Sequence, residues 1–550
     1  NIISASATST CYGIVASAPS SLTTGSGGND SISILYNNIY RAYYGIRIAG
    51  VSGEEILAPK VIGNNFGNNG TSGDGHYYAL YVSFSYDAVI DSNNIFNNTT
   101  SACYAIYNYR NYYGSVKYNT IRYQGTSSLY AIYNYYSDFS DVSYNRIENC
   151  NSALIYAIYS YYPKNATYTG NIIRNNSSTS TTYYIYSYYT QSSTFSNNIV
   201  ENNLSTSTQY LAYLYYGSGT TLANNIFRNN NNTGTSTVYG IYVYYHPNAV
   251  ITGNTISGLT ANSTLSGIYV YSASTSTTSN NAQIRNNLIE NIYRLANSTT
   301  SYVAGIAVAA NANGAQITNN IIRNINDITP QTTATYIPSG IRINGSTGHT
   351  IAYNTVDLSG EYTSSGATMS SAFVIAVTDL AGCTIKNNTF SNSMYGVAGS
   401  KSYAVFHDGT GFTGGTLDNN NYFVSGPQGI VAYFSGDLPN LATWRTLTNA
   451  DANSISANPQ FANTPYGDYR PLVGSPLVGA GSPVSGVTTD RLGVTRSTTA
   501  PTIGAYEEAI LIGVPLLLSP ANGQENIAIP PTLEWGSVFT ATGYNLQVST

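Results

Sequence analysis

Charge is what this chain has least of. Only 8% of its 550 residues are Asp, Glu, Lys or Arg, against about a quarter in an ordinary soluble protein. The formal net charge is −5, so no basic stripe exists to neutralise a phosphate backbone, and nucleic acid is excluded as a partner. Sulfur is scarcer still, with 4 Cys and 2 Met. Cys11 and Cys103 stand in matching strings, CYGI and CYAI, three repeats apart. In a stack of strands that is about 14 Å, beyond disulfide reach. Cys383 falls on an inward position, and the cysteines read as small core thiols rather than a disulfide framework. Long apolar runs are missing. The longest, Ala509 to Leu518, contains Gly and Pro and is far below the roughly 20 residues of a membrane span. No stretch of the repeats combines helical periodicity with cap signals, which excludes helical repeats. His76, His246, His349 and His407 lie in unrelated strings without metal-ligand spacing, so neither a metal nor an organic cofactor is expected.

What takes the place of charge is Tyr, Asn, Ser, Thr and Gly, with 54 Tyr and 50 Gly, beside a 42% hydrophobic fraction that suffices for a core. These residues repeat. A string of Asn, any residue, then Ile, Val or Phe serves as a ruler, its Asn read at Asn1, Asn38, Asn64, Asn94, Asn119, Asn145, Asn171, Asn198, Asn225, Asn254, Asn287, Asn320, Asn354, Asn388 and Asn421. Spacing stays between 25 and 30 from Asn64 to Asn254, then lengthens to 33 or 34, as if one loop per repeat had grown. Three apolar columns keep phase with it, exemplified by Ile121, Ile147 and Ile173, by Val116, Val142 and Phe195, and by Ile106, Ile132 and Ile158. Each belongs to a short alternating segment, the mark of a strand. Three short strands per repeat, joined by Asn, Gly and Ser bends, describe a triangular solenoid. The expected fold is therefore all-β, a right-handed parallel β-helix of about fifteen coils. At about 4.8 Å per coil it makes a rod of about 70 Å. One coil cannot bury its apolar side alone, and stacking completes both core and hydrogen-bond ladders. Asn in equivalent places can bond amide to amide along the axis. Asn is also favoured at bends because it tolerates left-handed backbone angles. Asn108 and Asn134 predict a second, interior ladder that gives way to Ser160, Ser187, Leu214 and Val243.

The repeat grammar resembles the parallel β-helices of the pectate lyase superfamily and of many secreted bacterial surface proteins, over residues 1–439. That resemblance implies a fold and no particular activity, since the fold hosts lyases, hydrolases, adhesins and stalks. Residues 440–512, with SISANPQF, GDYRPLVGSPLVGAG and PTIGAYE, resemble the terminal segment of secreted proteins of the choice-of-anchor kind. The expectation there is a cap over the last coil that blocks strand addition. The alternative is a binding site using Trp444, Arg470, Asp490 and Arg496. Residues 513–550 resemble the opening strands of a fibronectin type III module, with Trp535 and Tyr544 in its core. Such modules precede a surface-sorting tail in similar proteins. The resemblances, and a start at Asn1 without Met, imply a secreted, extracellular or cell-surface protein.

Acids are scattered. Polysaccharide lyases and hydrolases need carboxylates converging on one patch, and no Asp pair of that kind occurs in the coils. The nearest approach is Asp87 and Asp138, two coils apart, with Lys117 and Arg110 between them. Sequons such as the one at Asn165 are expected by chance in so polar a chain. The expectation is thus a protein that is not an enzyme, with no catalytic residue. A different feature exceeds the needs of folding. Seven successive coils carry an outward tyrosine pair: Tyr107 and Tyr109, Tyr133 and Tyr135, Tyr159 and Tyr161, Tyr186 and Tyr188, Tyr213 and Tyr215, Tyr242 and Tyr244, Tyr269 and Tyr271. This double column, about 30 Å long, reads as strand preference and ring stacking or as a contact face. The leading expectation is a structural, surface-displayed protein that self-associates head to tail into a filament, because the repeat begins at once at Asn1 with nothing to close the first coil. The alternatives are an adhesin that binds polysaccharide, or another surface protein, through the tyrosine face, and thirdly a polysaccharide lyase or hydrolase.

Overall fold

The computed structural model describes residues 2–4, 11–18, 22, 24–26, 28–67, 75–99, 101–272, 280–295, 301–309, 311–345, 347–377, 380–409, 411, 413–507, 515–521, 524, 527, 530–536, 544 and 546. Asn1 lies outside them. The chain is the expected parallel β-helix. One coil runs through Cys103–Tyr112, Ser115–Lys117 and Thr120–Gln124, and these pair in parallel with Ser128–Tyr135, Asp141–Ser143 and Arg146–Glu148 of the next. Three sheets result, called here the tyrosine sheet, the short sheet and the ladder sheet after that first coil. Among the described residues the short sheet has 14 strands, one per coil, and the ladder sheet 19, because some coils contribute two pieces. Parallel strands joined by crossovers wind right-handed for the reason βαβ units do, the inherent strand twist. All three apolar columns point inward: Ile106, Val116, Ile121 and their equivalents are fully buried along the rod. Among the described residues no helix is long and apolar enough to cross a membrane.

The Asn ladder exists, with its register corrected at three coils. It runs Asn37, Asn64, Asn93, Asn119, and onward to Asn388 and Asn420. At those three coils the ladder residue is Asn37, Asn93 or Asn420, one place before Asn38, Asn94 or Asn421. From Asn64 to Asn388 each Nδ2 donates to the Oδ1 of the next coil's Asn, 3.0 Å for Asn145 to Asn171, and to a backbone carbonyl of the coil before. That Oδ1 also accepts the preceding ladder residue's N–H. The left-handed residue at this bend sits one place earlier than the ladder Asn. It is Tyr118 (φ 55°), Tyr144 (φ 57°), Gly170 (φ 65°) or Asn197 (φ 54°). The ladder side chain therefore serves to satisfy buried backbone groups rather than to tolerate strain. The second ladder forms as expected: Asn108 donates to Asn134 at 2.7 Å, Asn134 to the Tyr168 hydroxyl, and that hydroxyl to Ser160. A third, unforeseen ladder links Asn176, Asn203 and Asn230.

The C-terminal expectation needs the larger correction. A helix, α1 (Leu441–Thr448), closes the last coil, with Asn440 as its N-cap and Trp444 fully buried. Trp444 Nε1 donates to Asp451 at 2.8 Å. The chain then does not stay over the end. It returns along the outside of the rod as a strap, from Ile455 beside Asn421 to Arg491, which donates to the Asn287 carbonyl. The residues considered for binding are pins of this strap: Arg470 pairs with Asp468, Asp490 accepts the N–H groups of Leu492, Val494 and Glu507, and Arg496 pairs with Glu507 over the Tyr353 ring. Beyond it, Leu517–Ser519 pairs antiparallel with Glu534–Trp535. The Trp535 ring meets Tyr544 at 5.8 Å, although Tyr544 is exposed. Most of the remaining segment lies outside the described residues.

Candidate functional site: the tyrosine wall

The tyrosine sheet turns four, not two, columns of rings outward. The coil starting at Tyr156 shows why. Tyr156, Tyr159 and Tyr161 point out, while Ala157, Ile158 and Ser160 are buried. Two successive residues, Ala157 and Ile158, face inward, so the strand bends there. The outward spacing becomes three, which a search for strict alternation passes over. The missed first column stacks Tyr130 on Tyr156 at 4.8 Å, Tyr156 on Tyr183 at 4.9 Å and Tyr183 on Tyr210 at 5.0 Å. The missed fourth column stacks Tyr136 on Tyr162 at 5.0 Å and Tyr162 on Tyr189 at 4.8 Å. Its residues take left-handed backbone angles, φ 62° at Tyr162, where glycine or asparagine would be easier. The signal was present in the string Y-x-x-Y-x-Y-Y, complete at Tyr130, Tyr156, Tyr183, Tyr210 and Tyr239.

The two columns read from the sequence lie between these. Tyr133, Tyr159, Tyr186, Tyr213, Tyr242 and Tyr269 stack at 4.7 to 5.2 Å, and Tyr107 meets Tyr133 edge to face. Tyr161, Tyr188, Tyr215, Tyr244 and Tyr271 stack at 4.7 to 5.3 Å in the next column, and Tyr109 and Tyr135 extend it. The rings cover each other so well that Tyr186 and Tyr213 are only 8% and 7% exposed. The wall therefore presents ring edges and hydroxyls, not open ring faces. Burial, and then neighbouring tyrosines, push these phenols up: Tyr161 to about 12, and Tyr133, Tyr159 and Tyr213 further. These four hydroxyls stay neutral and able both to donate and accept.

Next to the wall, the outside of the ladder sheet carries alternating charge. Glu148 sits between Arg122 at 2.7 Å and Arg174 at 3.0 Å, with Arg146 at 3.6 Å. Burial pushes Glu148 up, but the three guanidiniums outweigh it and hold it below its usual range. Glu201 with Arg228 and Glu290 with Arg323 repeat the arrangement. These acids are neutralised by partners rather than poised to react.

Asp87 and Asp138 share a turn two coils apart but not a position: Asp87 is level with Tyr113 and Phe139, and Asp138 stands one place earlier. Asp138 accepts the Lys164 N–H at 2.7 Å. Lys117 is paired with Asp141 at 2.6 Å, and Arg110 lies over the rings of Phe84, Tyr109 and Tyr136. The structure does not assemble these four residues into one reacting group.

A family model described as NosD, periplasmic copper-binding protein, matches residues 155–337, about a third of the chain. Copper does not fit the matched residues: they contain one His, no Cys and no Met. That His246 is fully buried, and its Nδ1 accepts the Gly217 N–H at 3.0 Å. No curated protein matches the chain in sequence. Among solved structures, the A-module of the mannuronan C-5 epimerase AlgE6 of Azotobacter vinelandii is similar at 12% identity and a TM-score of 0.35, over 74% of this chain and 91% of that one. The A-module of AlgE4 from the same organism is similar at 12% identity and a TM-score of 0.33, over 70% and 88%. A mutant tailspike protein of E. coli bacteriophage HK620, in complex with a pentasaccharide, gives 14% identity and 0.32, over 74% and 68%. At such identity the likeness is one of fold. It corrects one expectation nonetheless. Scattered acids do not exclude an enzyme, since epimerases stand among the proteins this chain resembles.

Proposed function

We propose that this chain is an exported β-helix that holds a polysaccharide along its tyrosine wall. The observation that carries the reading is the in-register array of neutral hydroxyls, repeating at every coil over the columns described above. A periodic, uncharged, flat surface matches a partner that is itself linear, periodic and rich in hydroxyls. Phenol edges supply apolar contact as well as hydrogen bonds, the combination that enriches Tyr in recognition surfaces. The ring faces are already occupied by neighbouring rings, so adhesion would run through edges and hydroxyls rather than through sugar rings stacked on open faces. A low charge density suits work outside the cell, where a glycan must be met without ionic selectivity.

End-to-end assembly receives less support. The C-terminal coil is covered by α1, and Asp437–Leu438 turns antiparallel onto Gly429–Phe434, which blunts the edge that a stack would extend. Retention in native gels containing neutral polysaccharides tests the reading. A variant with Tyr161→Ser, Tyr188→Ser and Tyr215→Ser should lose retention while keeping its β-rich circular dichroism. Equal retention of variant and parent, or no retention by any glycan, would sink it.

A further inference from the structure

The strapped half of the rod contains a cavity of about 680 Å³ between the outside of the ladder sheet and the returning strap. Its floor comes from neighbouring coils in register: Asp357 beside Ser391 beside Phe423, and Ser359 beside Ser393. Its roof is the strap from Asn458 to Ala462, with Thr464 and Leu472. Asp357 is 8% exposed, and its Oδ2 accepts the Tyr469 hydroxyl at 3.0 Å. Ser391 is 3% exposed, lines the cavity, and its Oγ has no hydrogen-bond partner among the described residues. An unpartnered buried hydroxyl is unfavourable unless something else meets it. The lining contains no Lys, Arg or His. The nearby Arg323 is committed to Glu290 at 2.6 Å and to the Thr464 carbonyl at 3.1 Å.

We propose that this cleft is a second binding site, for a single neutral sugar unit of a glycan. Asp357 and Ser391 take the sugar hydroxyls, and Phe423 and Phe461 supply its apolar walls. The chemistry selects against an anionic unit, because a ligand carboxylate would face Asp357 with no free cation to offset it. A cavity of this size, apolar on its walls with a few converging polar groups, is the form small-ligand sites take. The site is separate from the tyrosine wall and does not depend on it.

Burial pushes Asp357 up to about 6, against the opposing Tyr469 hydrogen bond and the Arg323 charge. Affinity should therefore weaken as pH falls from 7.5 to 5 and the carboxylate takes a proton. Isothermal titration of the full chain with linear neutral tetrasaccharides (β-1,4-glucan, β-1,4-mannan, α-1,4-glucan), with a tetrauronate for contrast, tests the site. At least one neutral tetrasaccharide should bind at one per chain. Asp357→Asn should weaken it about tenfold or more, and Ser391→Leu, which fills the cavity, should abolish it, neither with a lower melting temperature. The proposal is overturned if no neutral tetrasaccharide binds, if the tetrauronate binds better, or if both variants bind like the parent. Gel retention of a long glycan reads the wall independently.

Discussion

The two halves of the rod share one interior and solve the problem of their outer surface in opposite ways. From Cys103 to Tyr271 the coils are short, none of the described residues folds over the tyrosine sheet, and the rings cover one another. After Tyr271 the second column becomes Ala307, Arg342, Val374 and Phe406. There the longer coils supply covering loops: Ile337 packs on Val374, Tyr403 and Phe406 as a small apolar cluster. The strap adds a second cover, with Tyr469 and Ala505 over Ile321. The extra residues per coil therefore exchange a self-covered wall for a sheet covered by chain. The open aromatic surface is made from side chains, and a pocket is made where chain returns.

The strongest test of a common interior is the ladder. Asn198 donates to Asn225 and to the Tyr168 carbonyl and accepts twice from Asn171, and Asn354 makes the same set one half later. Asn198→Ala and Asn354→Ala should each cost on the order of 4 kcal/mol, from several unsatisfied buried groups. Urea unfolding that finds one costly and the other neutral would show the halves to be differently built.

Acid should separate the halves next. Burial lowers His246 to about 3 and His349 and His407 to about 4. Between pH 6.5 and those values the unfolded chain binds protons that the folded chain refuses, so stability falls as pH falls through that window, by up to about 5 kcal/mol for His246 and about 3 kcal/mol each for His349 and His407. Asp357 acts with the opposite sign. Its carboxyl is raised, so the folded form binds a proton first between about pH 6 and 4. Asp357→Asn should raise stability near pH 7 by roughly 2–3 kcal/mol and steepen the acid loss, as read by melting temperature against pH. An unchanged profile would remove Asp357 from the account.

The wall itself should be graded. Tyr213→Ala should cost about 3 kcal/mol and Tyr188→Ala about 1 kcal/mol, because the inner ring is nearly buried and the outer one half-buried. Equal losses would mean that the columns do not shield one another. Smallest is the charge ladder. Glu148→Gln should cost about 1 kcal/mol or less, shrinking with added salt, as a salt-dependent midpoint in urea would report.

Much of this was legible in the residues alone. A repeat whose apolar columns keep phase can bury them only by stacking, so the β-helix and its three inward columns follow from period and polarity. The two inner tyrosine columns follow from alternation. Other features needed the fold. The outer columns at Tyr156 and Tyr162 lie across a bend and on left-handed positions, where alternation no longer tells direction. Which Asn of a pair carries the ladder depends on which one reaches its neighbour's amide, a matter of register rather than type.

The cleft was the least legible. Asp357 and Tyr469 are 112 residues apart, and no local pattern joins them. The sequence by itself determined the repeat, its inward columns and the tyrosine face, because each rests on contacts between equivalent positions of neighbouring coils. Only the tertiary structure decided the strap, the cavity and the raised Asp357. Those rest on where one non-repeating segment lies down, and that is set by shape and buried area along the rod rather than by period.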